Sequence, residues 1–250
     1  MKDIRMLSVI VARKGSKGLP SKCMLPIAGM PVVEHVICWA TSIRFHGVDH
    51  TVVVSSDIIE LKEIAKRYGA LFIERDKDLA SDTAPIDEVV LDALKRMGVG
   101  AYDYISLLYG NIPIRYNELI MEPLFFLEEN TEFKGVLTFQ RVEKYNPAWM
   151  VKLTEKRLPV WREEAFRRQD LDQYMIHDGH TCLTRADFFV ESMERANRDN
   201  KGFPQMYRTW GGTYIKPWLH DKIVIDIDTE KDYKLARCVI EYCHLEYQYR

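Results

Sequence analysis

Two short stretches near opposite ends of the 250-residue chain carry residue types that can handle phosphate. Arg13-Lys14-Gly15-Ser16-Lys17-Gly18-Leu19-Pro20-Ser21-Lys22 holds four cations and two glycines, without an acid, directly after an apolar run. Glycine lets backbone N–H groups turn toward a ligand, and anions collect where such groups point outward. With Arg13, Lys17 and Lys22 added, the loop suits a polyphosphate. A Walker A loop needs GxxxxGK[ST], and here Leu19 follows the second glycine; a dinucleotide fingerprint needs GxGxxG, and only GxxG is present. The second stretch is Asp226-Ile227-Asp228-Thr229. Alternation on an extended strand puts the two carboxylates on one face, about 6–7 Å apart. Such a pair suits Mg²⁺, which takes one or two carboxylates with phosphate oxygens and water. Equally, Asp228 can cap the last helix while Asp226 ends a strand in solvent; the residues alone do not choose. His177-Asp178-Gly179-His180 lacks a third ligand at familiar zinc spacing, and His180 and Cys182, two residues apart on a strand-like stretch, are poorly placed for a thiol–imidazole pair.

The elements that must position these residues alternate. Leu7–Ala12 is continuously apolar, as in a parallel strand buried on both faces. Strand-like Thr51–Val54, Leu71–Ile73, Tyr104–Leu108 and Gly135–Phe139 interleave with helical spacing in Pro31–Ile43, Ile59–Tyr68, Ile86–Met97 and Glu118–Leu127. Asp82 or Thr83 is a candidate cap for the helix at Ile86. Repeated βα units predict an α/β fold, doubly wound around a mainly parallel sheet, with ligands at the carboxyl ends of the strands. Residues 141–185 break the rhythm and read as an excursion: a subdomain, lid or oligomer contact within a single domain spanning 1–250. Lys222–Asp226 reads as a returning strand. A final helix begins at Thr229, with Asp232 as the acid of a capping box and Leu235, Val239, Ile240 and Cys243 on its apolar face.

Composition narrows the function classes. Lys and Arg number 35 against 37 Asp and Glu, a net charge of −2, which argues against nucleic-acid polymers and membrane surfaces as partners. No apolar run approaches the roughly 20 residues of a bilayer span. Five cysteines without a CxxC pair read as free thiols, so a cytoplasmic location is expected.

The stretch Ala12–Lys22, followed by Leu25-Pro26-Ile27-Ala28-Gly29 and Pro31, resembles the signature of the acylneuraminate (CMP-sialic acid) cytidylyltransferases, typically ARGGSKGIPxKN…LAGKP. Similarity continues, in family order, at Val54–Asp57, Leu79–Asp87, Arg167–Asp170 and Ile225–Thr229. The resemblance implies a Rossmann-like nucleotidyltransferase that joins CTP to an acidic sugar, a nonulosonic acid, giving a CMP-sugar and pyrophosphate. A Kdo-type synthetase or a non-catalytic nucleotide-sugar binding protein on the same fold are the alternatives. It further implies nucleotide contacts from Ala12, Arg13, Gly15, Ser16, Lys17, Lys22, Ala80, Ser81 and Thr83, and sugar contacts from Tyr109, Asn111, Arg115, Arg167, Arg168 and Gln169. Asp226 and Asp228 become Mg²⁺ ligands, catalytic together with Arg13 and Lys22. The excursion is expected to form sugar-site and homodimer contacts. The chain departs from the family at Lys14 (usually Gly) and Cys23 (usually Asn). It departs again in Leu108-Tyr109-Gly110-Asn111-Ile112-Pro113-Ile114-Arg115, where sialic acid enzymes have LQPTSPLR.

Overall fold

A computed structural model describes residues 3–15, 18–44, 46–142, 145–161, 167–196 and 209–242. Strand β1 (Ile4–Ala12) leads, by way of the short β2 (Pro26–Ile27) and β3 (Met30–Pro31), into α1 (Val32–Ser42). Then come β4 (Val48–Ser56), α2 (Leu61–Arg67), β5 (Leu71–Glu74), α3 (Ile86–Met97), β6 (Tyr104–Tyr109), α4 (Glu118–Glu129) and β7 (Gly135–Arg141). After the hairpin strands β8 (Val151–Leu153) and β9 (Pro159–Trp161) follow β10 (Met175–Arg185), α5 (Ala186–Ala196), β11 (Ile215–Leu219) and α6 (Glu230–Tyr242).

One seven-stranded sheet, in the order β11-β7-β10-β6-β1-β4-β5, carries the architecture. β1 pairs in parallel with β4 and β6, β4 with β5, and β7 with β11, while β10 runs antiparallel between β6 and β7. Alternate β1 side chains serve opposite faces. Met6 and Ile10 join α1, α2 and α4 in one core, whereas Leu7, Val9 and Val11 join α3 and α5 in the other. Successive connections run over the first face to β4 and β5, and α3 then returns over the second to β6. The chain thus reverses between β1 and β6, which opens a crevice at their carboxyl ends.

The expected α/β class holds, with two corrections. Residues 175–185, placed in the excursion, are β10 at the heart of the sheet. Their register shifts between His177 and Cys182 around Gly179, whose φ of +72° suits glycine. A side chain there would press on Ile112 and Tyr109. Lys222–Asp226 is not a strand: residues 221–228 belong to no sheet. Alternation survives nonetheless, with Ile225 and Ile227 buried against α6 and Asp226 and Asp228 facing out. The capping box forms as expected: the Thr229 N–H donates to Asp232 Oδ2 at 2.9 Å and the Asp232 N–H to Thr229 Oγ1 at 3.3 Å. Leu235 is exposed and Ala236 takes its place in the core, while Cys243 lies outside the described residues.

A polar chain crosses the centre of the sheet. Ser8 Oγ lies 2.8 Å from both His50 Nε2 and Ser106 Oγ, tying β1 to β4 and β6. Burial, and then Arg44, push the His50 imidazole down to about 4. The neutral ring is the folded form, so its contribution is complete above about pH 6.5 and is lost as pH falls toward 4. Urea unfolding across that window should lose roughly 2–3 kcal/mol more in the wild type than in His50→Gln. Parallel stability curves for the two proteins would contradict it.

Candidate functional site

The crevice holds a cavity of about 230 Å³ lined by Val11, Ala12, Arg13, Lys22, Cys23, Arg75, Ile86, Tyr109, Asn111, Asp226 and Asp228. Residues far apart in sequence thus meet at the reversal of the sheet. β1 delivers Ala12 and Arg13. The Lys14 N–H donates to Asp57 Oδ1 at 2.8 Å, pinning the basic loop to the end of β4. Its far side closes on the acidic segment at Gly18, where a Cβ would lie 2.6 Å from the Asp228 carbonyl oxygen. Only glycine permits that approach.

Charges of both signs line the cavity. The Lys22 ammonium pairs with Asp228, and the Arg13 guanidinium with Asp82. Asp226 is held by the Asn111 amide, which donates to its Oδ1 and to the Ile227 carbonyl. Burial beneath neighbouring protein, then the nearby Asp228, raise the Asp226 carboxyl to about 6, although its edge stays open to solvent. Two like charges held this close favour a cation between them. Among the described residues no cluster of three or more His, Cys, Asp or Glu is placed to hold a metal. The pair's donors are all oxygen, which fits magnesium completed by phosphate and water rather than a closed protein cage.

Of the nucleotide candidates, Ala12, Arg13 and Lys22 line the cavity. Gly15 lies on the loop beside it, and Ser16 and Lys17 fall outside the described residues. Ala80, Ser81 and Thr83 do not line the cavity; their loop reaches the lining residue Arg13 through Asp82. Ser81 Oγ donates instead to the Asp78 carbonyl at 2.9 Å. Neither Asp82 nor Thr83 caps α3, which starts after Pro85 without a side-chain cap.

Of the sugar candidates, Tyr109 and Asn111 line the cavity, but Arg115 turns inward. Its Nε donates to the Ile112 carbonyl at 2.8 Å, Nη2 to that of Tyr109 at 2.6 Å and Nη1 to that of His180. That fork staples the Tyr109–Arg115 loop to the bulge in β10. Arg167 and Gln169 are exposed and away from the cavity lining, and the Arg168 side chain is outside the described set.

Arg75 escaped sequence reasoning. It follows β5 directly, is 6% exposed, and donates from Nη2 to the Ser55 carbonyl at 2.6 Å. Burial lowers its guanidinium to about 10, leaving it charged at neutral pH. A cation just past a strand's carboxyl end, on the rim that also bears Arg13, was the available signal. Cys23 is 3% exposed and burial pushes its thiol up to about 11, which makes it a wall of the cavity rather than a nucleophile.

The sequence profile described as "Cytidylyltransferase" matches residues 7–207, most of the chain. This chain belongs to the cytidylyltransferase family. It is therefore a nucleotidyltransferase. It is 29% identical to the CMP-N,N'-diacetyllegionaminic acid synthase of Legionella pneumophila over 244 residues, covering 95% of this chain and 97% of that one. It is 28% identical to the pseudaminic acid cytidylyltransferase of Campylobacter jejuni, covering 96% and 98%. Its fold matches that of a CMP:2-keto-3-deoxy-manno-octonic acid synthetase solved with CTP, at a TM-score of 0.68 and 17% identity, covering 94% and 98%.

For this cytidylyltransferase, Arg115→Lys tests the stapling role. A lysine cannot reach three carbonyls in a fixed fork, so buried acceptors lose their donor. Unfolding in urea should show a loss of about 2–4 kcal/mol. A variant of unchanged stability that has lost only affinity for the sugar would return Arg115 to the substrate.

Proposed function

We propose that the chain transfers the cytidylyl group of CTP to a nonulosonic acid, releasing pyrophosphate. The observation that carries this reading is the cavity's lining: Arg13, Lys22 and Arg75 share it with Asp226 and Asp228 where the sheet reverses. The activities of the Legionella and Campylobacter relatives point to the same acceptor class. Arg13 and Lys22 neutralise the triphosphate, and each exchanges a carboxylate partner for phosphate when the nucleotide enters. Arg75, its Nε and Nη2 held by Ser55, offers its remaining Nη1 donors to the nucleotide's acceptor edge. The sugar's anomeric oxygen bonds to the α-phosphorus while the bond from that phosphorus to the bridging oxygen breaks, and pyrophosphate leaves in line. Asp226 and Asp228, the carboxylates lining the cavity, can accept the proton of the attacking hydroxyl. A magnesium ion held by the same pair supplies charge withdrawal from the phosphates.

The cavity is smaller than the roughly 300–1,000 Å³ of usual ligand sites, and far too small for both substrates. The missing walls, we propose, come from a second copy. Trp149, Val151, Leu153, Leu158, Val160 and Trp161 are exposed apolar residues on and beside the β8–β9 hairpin, with Val151 paired to Trp161. Packing them against a partner would form a homodimer and carry Arg167, Arg168 and Gln169 toward the partner's cavity. Among the described residues no helix is long and apolar enough to cross a membrane. The described cysteines Cys23, Cys38, Cys182 and Cys238 are free thiols, which supports a reducing, cytoplasmic setting.

Pyrophosphate release should appear with CTP, Mg²⁺ and at least one member of a panel of nonulosonic acids, and not with ATP, GTP or UTP. Asp226→Asn and Asp228→Asn should each lower it by about 10²-fold or more. Turnover with an eight-carbon acid alone would move the substrate to the Kdo class, and CTP binding without pyrophosphate from any sugar would favour a binding protein. Light scattering at micromolar concentration should give twice the 29.3 kDa chain mass. A purely monomeric, fully active protein would overturn the shared site.

A further inference from the structure

Asn111 occupies a place where the family resemblance expects threonine, and at the cavity wall its amide donors are taken by the protein itself. It is 8% exposed. Both hydrogens of its amide are engaged, one by Asp226 Oδ1 and one by the Ile227 carbonyl at 3.2 Å. Its own carbonyl accepts the Ile227 N–H at 3.0 Å. The residue thus grips both the backbone and the carboxylate of the acidic segment.

That grip is itself rigidly mounted. The Gly110 N–H donates to the Val11 carbonyl at 2.9 Å, and a Cβ on Gly110 would lie 2.8 Å from the same oxygen. The Ile112 N–H closes the turn on the Tyr109 carbonyl at 3.2 Å, and the Arg115 fork holds the carbonyls of both residues. Asn111 therefore sits on a turn fixed to β1, the strand that delivers Arg13. Asp226, by contrast, lies on a segment without a ladder, with the acids Asp228 and Asp232 near enough to repel it. Like charges push such a carboxylate out of any chosen rotamer unless a donor holds it.

We propose that Asn111 is a positioning residue for Asp226, its amide fixing Oδ1 so that Oδ2 is the oxygen presented to a divalent cation. The inference rests on the proposed role of Asp226 as a metal ligand. Partners of ligating carboxylates set their orientation, and losing one weakens metal binding. A threonine at this position can donate one hydrogen bond where asparagine donates two.

The test is a Mn²⁺ titration of the purified protein holding CTP, read by water-proton relaxation enhancement, which distinguishes protein-held ion from ion on free CTP. Asn111→Ala should weaken Mn²⁺ about tenfold or more and lower kcat, with KM for CTP changed by less than about twofold. Asn111→Leu keeps nearly the same shape, adds no charge and donates no hydrogen bond, so it carries the same expectation if the alanine variant folds poorly. Asn111→Thr should recover affinity to within about threefold of the wild type. Wild-type Mn²⁺ affinity in folded Asn111→Ala or Asn111→Leu, alongside its loss in Asp226→Asn, overturns the positioning role alone. Unchanged affinity in Asp226→Asn as well overturns both this inference and the metal reading beneath it.

Discussion

The site depends on how a segment with no sheet ladder is held still. Residues 221–228 bear both carboxylates, yet their backbone pairs with no strand. Their anchors come from elsewhere. The Tyr116 hydroxyl reaches the Ile223 carbonyl at 3.3 Å, and Gln140 Nε2 the Lys222 carbonyl at 3.0 Å; Asn111 and Ile227 exchange main-chain and side-chain bonds. Beneath them Ile225 and Ile227 bury their side chains against Ala236, Val239 and Ile240 of α6. Held this way, Asp226 and Asp228 line the cavity beside Arg13 and Lys22.

The sheet supplies the place for that meeting. The reversal between β1 and β6 leaves their carboxyl ends uncovered by either layer of helices. Arg13, Arg75, Tyr109 and Asn111 all lie at or just past strand ends on this rim. Their separation in sequence is the cost of the topology, and their precision comes from the buried strands behind them. Gly18 and Gly110 matter for the same reason: each lets one backbone approach another more closely than a side chain would allow.

Much of this was legible in the chain because it is local. The apolar run Leu7–Ala12 could only be a strand buried on both sides, α3 falls at its expected bounds, and Thr229 with Asp232 forms its box. What escaped was long-range. Alternating Ile225, Asp226, Ile227 and Asp228 look the same in a strand as in an extended segment held by side chains, because burial has the same period in both. Met175–Arg185 hides its strand behind a bulge with polar residues. Arg115 presents a fork that fits carbonyl groups as well as a sugar carboxylate, and only the position of the β10 bulge decides between them. Arg75 and Asp82 gain meaning only from partners tens of residues away.

The central claim is that Asp226 and Asp228 share a cation beside the triphosphate of CTP. Crystals grown with CTP and Mn²⁺, and measured for anomalous scattering, test it most directly. The account predicts an anomalous peak within coordination distance of both carboxylates, with the triphosphate running along the loop from Ala12 to Lys22. Bound CTP with manganese elsewhere, or touching neither aspartate, would contradict it.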